Sequence, residues 1–229
     1  MAAVKGSSLG NLSGKLGTLS ARTINGRTIM AARPASFKDS RTQKHADAKQ
    51  KFKVTRVFAS KITALPVLYT IWKQKKKPLI SVTNSIFQKN YSLSSTEGPT
   101  LKNIITPDGF NAPVTAVSLA EGKLSGSLAA INTVAVIDTN CSNLSINGVI
   151  CLTDPISAND SYYKIISISK EVNNFDFTQP YNFEIELAVE AGADVAKYGR
   201  KIIYLAIAIK SADDKIIKCS NSYSAISSW

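Results

Sequence analysis

The chain has 229 residues, 44% of them hydrophobic and 19% charged, which is enough apolar material for one large domain or a compact domain with an appendage, and argues against disorder. No apolar run approaches the roughly 20 residues of a membrane helix, and no h-region follows Lys5, so the reading is synthesis in the cytoplasm without a secretory signal. The charge is divided: residues 1–77 hold 17 Lys and Arg against Asp39 and Asp47 (+15), residues 78–229 hold 11 against 14 acids (−3), and the sum is +12. A cationic arm on a near-neutral body points to docking or assembly before catalysis.

The arm comes first. Residues 6–17 carry Gly6, Gly10, Gly14 and Gly17, a spacing that keeps side-chain bulk low where backbone must approach another surface. Gly10 to Lys15 falls short of a phosphate loop, because only three residues separate Gly10 from Gly14-Lys15 and Leu16 stands where Ser or Thr should bind magnesium. Thr18–Ile24 and Arg27–Arg33 are β-prone runs joined by Asn25-Gly26, the dipeptide a type I′ turn favours, so they predict a hairpin closed by Pro34. Lys15 precedes it; Arg22, Arg27 and Arg33 lie on or beside it. A two-stranded hairpin is marginal alone, so it is expected either as an edge ribbon on its own domain or paired with a neighbouring subunit.

After a linker, residues 35–41, the pattern becomes helical. Ser40 or Thr42 can cap a basic amphipathic helix with an apolar stripe of Ala48, Phe52, Ala59, Ile62 and Leu65. Pro66 is expected to kink it and to open a second helix, Val67–Lys77, with Leu68, Ile71 and Trp72 inward. Lys73, Lys75, Lys76 and Lys77 lie at its C-terminal end, where cations suit the dipole. They read as a solvated helix end or as a phosphate-contact patch, with no aromatic platform visible nearby for base reading.

Beyond Pro78 the chain reads as strand and turn. Candidate strands are Leu79–Ser85, Val114–Leu119, Lys123–Leu128, Thr133–Thr139, Gly148–Leu152, Tyr162–Ser169, Asn182–Val189, Ile202–Ile209 and Lys215–Tyr223, with turns that include Asn147-Gly148 and Asp213-Asp214. This cadence predicts a mainly β fold: an immunoglobulin-like antiparallel β-sandwich, residues 78–229, preceded by a basic hairpin arm, residues 1–41, and a helix kinked at Pro66, residues 42–77.

Chemistry is sparse. His45, the only histidine, sits among lysines without a Ser or Cys partner, which leaves a general base nothing to activate and removes any histidine-built metal site. Cys141, Cys151 and Cys219 are odd in number, lack C-x-x-C spacing and read as free thiols. Glu184 and Glu186 share a strand face, as the wet side of a sheet expects. No catalytic, metal, cofactor or small-molecule site is read from these residues.

Gly10-Asn-Leu-Ser-Gly-Lys-Leu-Gly17, a hairpin ending in Arg33-Pro34, then Thr42 and a basic helix through Lys51-Phe52 and Leu65-Pro66, together resemble the opening of a family of uncharacterised bacterial proteins. Members carry Gly-x-x-Ser-Gly-Lys-x-Gly, an Asn-Gly-type turn, Arg-x-x-Pro and Gln-Arg-x-Lys-Phe; here Ala48-Lys49-Gln50 departs from the Gln-Arg. The resemblance covers roughly residues 6–72 and implies an N-terminal module on a β-rich body, with no activity attached.

Two functions fit. One is a structural protein whose arm, with Gly10, Gly14, Gly17, Asn25 and Gly26 at its close approaches and turn, docks on a neighbouring subunit or another assembly partner in a particle or filament, such as a phage virion or cell appendage. The other is sequence-independent nucleic-acid binding, with Lys15, Arg22, Arg27, Arg33, Lys73, Lys75, Lys76 and Lys77 on phosphates.

Overall fold

The computed structural model describes residues 2–4, 13–24, 26–34, 36, 42–120 and 122–227, with backbone alone at 2–4 and Leu16. It is mainly β with antiparallel sheets and divides into two compact units, residues 1–45 and 46–229. The division falls a few residues inside the basic helix.

In the first unit Gly26 does what its backbone preferences dictate. Ile24 stands opposite Arg27, so the connection is two residues long, and Gly26 takes a φ of +75° that a side chain would resist. The strands so joined are not an isolated ribbon. β1 (Ala2–Val4), β2 (Gly14–Leu16), β3 (Leu19–Ile24) and β4 (Arg27–Ala32) form one antiparallel sheet in the order β1-β4-β3-β2, with the hairpin as its inner pair. The glycine-rich segment thus supplies an edge strand, where a bare arm was expected.

α1 (Gln43–Thr63) runs unbroken through its lysines but seats only its second half: Val54, Thr55, Phe58, Ala59 and Ile62 are buried, and nothing before Val54 is. Ala48 and Phe52, expected on the buried stripe, are exposed. Pro66 acts as anticipated. Leu65 is held extended before it, and α2 (Pro66–Lys75) opens with the proline in its first turn and buries Val67, Leu68, Ile71 and Trp72. The strand expected over Leu79–Ser85 is instead a helix, α3 (Val82–Asn90). Its β-branched residues favour strands, but the Ser81 hydroxyl accepts the Asn84 N–H at 3.2 Å as an N-cap. Val82, Ile86 and Asn90 then fall four apart on the buried face.

The long strands organise the rest. β7 (Cys141–Pro155) and β10 (Tyr198–Ser211) pair antiparallel along their length, with β8 (Tyr163–Val172) outside β7; β11 (Ile216–Cys219) and β12 (Tyr223–Ile226) share the far edge of β10. Ser220 bridges the gap between those two short strands. Its N–H donates to the Ile207 carbonyl at 2.8 Å and its hydroxyl accepts the Ile207 N–H at 2.9 Å. A second sheet contains β5 (Val114–Ala120), β6 (Lys123–Leu128) and β9 (Tyr181–Glu186).

Alternation along β7 and β10 sends their residues to two different cores. Val149, Cys151, Ile202, Tyr204, Ala206 and Ala208 pack with Phe58, Leu68, Trp72 and Ile86 of the helices. Leu144, Ile146, Ile150, Ile203, Leu205 and Ile207 pack with Leu124, Leu128, Phe183 and Ile185 of the three-stranded sheet. A strand buried on both faces reads as a continuous apolar run, which is why Ile202–Ile209 is uninterrupted. The body therefore has a third, helical layer that two facing sheets alone do not require.

One expected turn and one expected strand are not found. Asn147-Gly148 lies inside β7, where Gly148 is needed for space: a Cβ there would stand 2.9 Å from Leu205 Cδ2 and 3.0 Å from Ile168 Cδ1. Thr133–Thr139 contains no strand; Ile131–Thr133 is a 3-10 turn and the stretch beyond it pairs with nothing regular. Asp213-Asp214 does turn, between β10 and β11, with Asp214 at a φ of +60°.

Candidate functional site

Strand register sorts the arm's side chains. Lys15 faces Ser20, Arg22 faces Ile29 and Ile24 faces Arg27, so Lys15, Arg22 and Arg27 lie on one face of the first sheet. Leu19, Ala21, Thr23, Thr28, Met30 and Ala32 lie on the other, which bears no charge. Arg33 follows β4, its N–H donating to the Thr18 carbonyl at 2.7 Å. All four cations are exposed, and Thr28 is the one buried residue among those described in this unit. Among the described residues, both apolar cores are drawn from the second unit and neither contains a residue of the arm sheet.

The assembly residues divide accordingly. Gly14 begins β2 at a φ of +119°, Gly17 makes the β2–β3 turn at +57°, and Gly26 makes the hairpin turn. Gly10 and Asn25 lie outside the described residues.

The second cationic surface is the helical layer. Residues 48–96, which include most of α1 and all of α2 and α3, contain ten Lys and Arg and no Asp or Glu. Lys73 and Lys77 are exposed and Lys76 half-buried. Lys75 is not free for a phosphate, since its ammonium lies 3.2 Å from the Asp108 carboxylate; both ends are more than half exposed, so water weakens the pair. The described cations of the first third thus lie in both units.

An aromatic cluster that sequence spacing did not disclose lies on α1 and α3. The Phe52 ring is 4.9 Å from that of Phe87, Phe87 stacks on Tyr91 at 5.4 Å, and the Lys51 ammonium sits 5.2 Å over the Tyr91 ring. Phe87 is packed against the helical core, whereas Phe52 is 55% exposed. The strand expected over Leu79–Ser85 left the residues after it without a helix, so Phe87 and Tyr91, four apart, were not seen to share a face.

A crevice of about 860 Å³ opens beside α4 (Val189–Val195), lined by Leu119, Leu187, Val189, Ala193, Val195 and Lys201 among others. Lys201 is 3% exposed, and burial pushes its pKa below the usual lysine value. Asp194 of α4 fixes that wall: it pairs with Lys164 of β8 and with Lys197 at 3.1 Å, and these hydrogen bonds hold its carboxyl below the usual carboxylate range. A folded-state pKa below the unfolded one adds stability that is complete above the ordinary carboxylate pKa and lost as pH falls through the folded value. Asp194→Asn is therefore expected to cost about 1 kcal/mol at pH 7, since both lysines are about half exposed. The gap between the melting curves of the pair should close as pH falls below the ordinary carboxylate range; a gap that does not narrow on acidification contradicts the assignment.

His45 is exposed in the first unit and is not part of the crevice lining. Among the described residues no three His, Cys, Asp or Glu gather as a metal site. All three cysteines are free thiols, Cys151 buried and the others half-buried. No helix among the described residues is long and apolar enough to cross a membrane. Comparison with protein-family models, with curated proteins and with solved structures finds no match to this chain.

Proposed function

We propose that this is a non-enzymatic structural protein that assembles through its first unit, a second subunit or assembly partner covering the arm sheet. One observation carries the reading: four short strands form a sheet whose described side chains bury only Thr28, and a sheet with so little apolar burial needs a covering surface to be stable. The uncharged face of Leu19, Ala21, Thr23, Met30 and Ala32 is the surface such a partner would cover. The body behind is read as an immunoglobulin-like sandwich carrying a helical layer, and the resemblance of residues 6–72 to a bacterial family is read as marking the module. A particle or filament, such as a virion or a cell appendage, is the setting that suits it.

Ile29 pairs with Ala3 on one side and Arg22 on the other. Proline there removes a ladder N–H and fixes φ. Ile29→Pro is expected to abolish assemblies of the full chain seen by negative-stain microscopy while leaving the melting of the body unchanged, because neither core contains an arm residue. Assemblies that persist in the variant contradict the reading.

A second reading is favoured by the common face of Lys15, Arg22 and Arg27, which can track a phosphate backbone. Their replacement by Gln should remove salt-dependent retardation of DNA; retardation that is unchanged counts against it.

A further inference from the structure

Phe52 is placed where a core residue is wasted. It stands in the half of α1 that has no buried residue, and its ring is more than half exposed although Phe87 supports it from beneath. Cations flank it on α1: Lys49 and Arg56 lie three residues before and four after it, on the same helix face, and Lys53 is next in sequence. All three are exposed, and no acid occurs between residues 48 and 96.

A partner for this patch must offer a flat apolar face to the ring and several negative charges to its rim. A hydrophobic peptide leaves the cations without purpose, and an acidic peptide leaves the ring uncovered. A duplex presents charge but hides its base faces. Single-stranded nucleic acid has both, since every base has a π-face and every linkage a phosphate. We propose that Phe52, braced by Phe87 and Tyr91, is a stacking platform for a base of single-stranded nucleic acid, with Lys49, Lys53 and Arg56 on the flanking phosphates. The site belongs to the body, and it stands whether or not the arm assembles or touches nucleic acid.

The test is titration of a labelled 20-nucleotide oligo-dT with the full chain, its Phe52→Ala, Phe52→Leu and Phe52→Trp variants, and Lys53→Gln/Arg56→Gln. Three phosphate contacts to a single strand predict roughly a 20-fold loss of affinity between 50 and 200 mM salt. Loss of one stacked base predicts roughly tenfold weaker binding for Phe52→Ala and Phe52→Leu at an unchanged salt slope, with Phe52→Trp at least as tight as the parent. The double glutamine variant should lower the salt slope by about 1.4. Equal binding by the alanine and leucine variants, by duplex of the same length, or by polyglutamate overturns the proposal. Unchanged melting of the variants, as the exposure of Phe52 predicts, excludes unfolding as the cause of a loss. Loss of assembly in an arm variant that still shows the Phe52 effect separates this site from the assembly reading.

Discussion

Replacing Trp72 by alanine should cost about 3–5 kcal/mol of the body's stability, the upper range for a core substitution. The indole is 1% exposed, lies in the core that joins α1, α2 and α3 to β7 and β10, and donates its Nε1–H to the Ile105 carbonyl at 2.8 Å. Ile105 is itself buried. Alanine there leaves a cavity under α2 and a carbonyl without its donor. Phenylalanine keeps most of the apolar volume but not the N–H, so Trp72→Phe should cost about 1–3 kcal/mol, mainly for the buried carbonyl. Urea denaturation checks both. The midpoints should fall in that order with the slope unchanged, and equal midpoints for phenylalanine and the parent would show that the hydrogen bond contributes nothing. A total stability of about 5–15 kcal/mol is usual for a domain, so the alanine variant stands near the edge of folding.

Gly148→Val is the second large effect. Gly148 sits at the centre of β7 with Leu205 on one side and Ile168 on the other, both pointing into the core shared with the three-stranded sheet. A Cβ alone would be 2.9 Å from Leu205 Cδ2, and valine adds two methyl groups to the same space. Overpacking of this kind costs about 1–3 kcal/mol through forced rotamers and backbone shifts, and the upper end is expected because both neighbours are on long central strands. Thermal unfolding of Gly148→Val beside Gly148→Ala measures it: alanine should fall between parent and valine. A valine variant as stable as the parent would mean that β7 and β10 can separate freely, which their pairing argues against.

Much of this architecture was legible in local chemistry. Asn25-Gly26 between β-prone runs specified the hairpin register; Pro66 specified the break between α1 and α2; the alternation of Phe183, Ile185 and the glutamates between them specified β9, with Lys123 now 3.3 Å from Glu186 on its wet face. The failures arise where a residue's role is set by something distant in sequence. Asn147-Gly148 has turn chemistry, but Leu205 and Ile168 require a residue without a side chain inside a strand. Leu79–Ser85 has strand propensity, but Ser81 caps a helix and Asn90, four residues after Ile86, ties it down. Asn90 Nδ2 donates to the Ile86 and Ile104 carbonyls, and its Oδ1 accepts from the Ile104 N–H. No local pattern announces a network that closes across fourteen residues.

The cationic surfaces show the same division. Counting charge located the +15, and strand period placed Lys15, Arg22 and Arg27 on one face once the register was known. Only packing shows that Lys75 is paired with Asp108, or that Phe52, Phe87 and Tyr91 meet. The helical layer went unread because the residues that cover it, Phe58, Ile62, Leu68 and Trp72, make the same apolar demand of any partner surface. Their actual partner, the face of Val149, Ile202 and Tyr204, is the back of the strands already assigned to a two-sheet core.

Sedimentation velocity of the full chain beside residues 42–229, each over a hundredfold range of concentration, tests assembly through the arm most directly. Both cores lie after residue 53, so the shorter chain retains the body. The full chain should sediment as species larger than a monomer, growing with concentration, and the shorter chain as a monomer throughout. Monomers of both at every concentration would contradict the account.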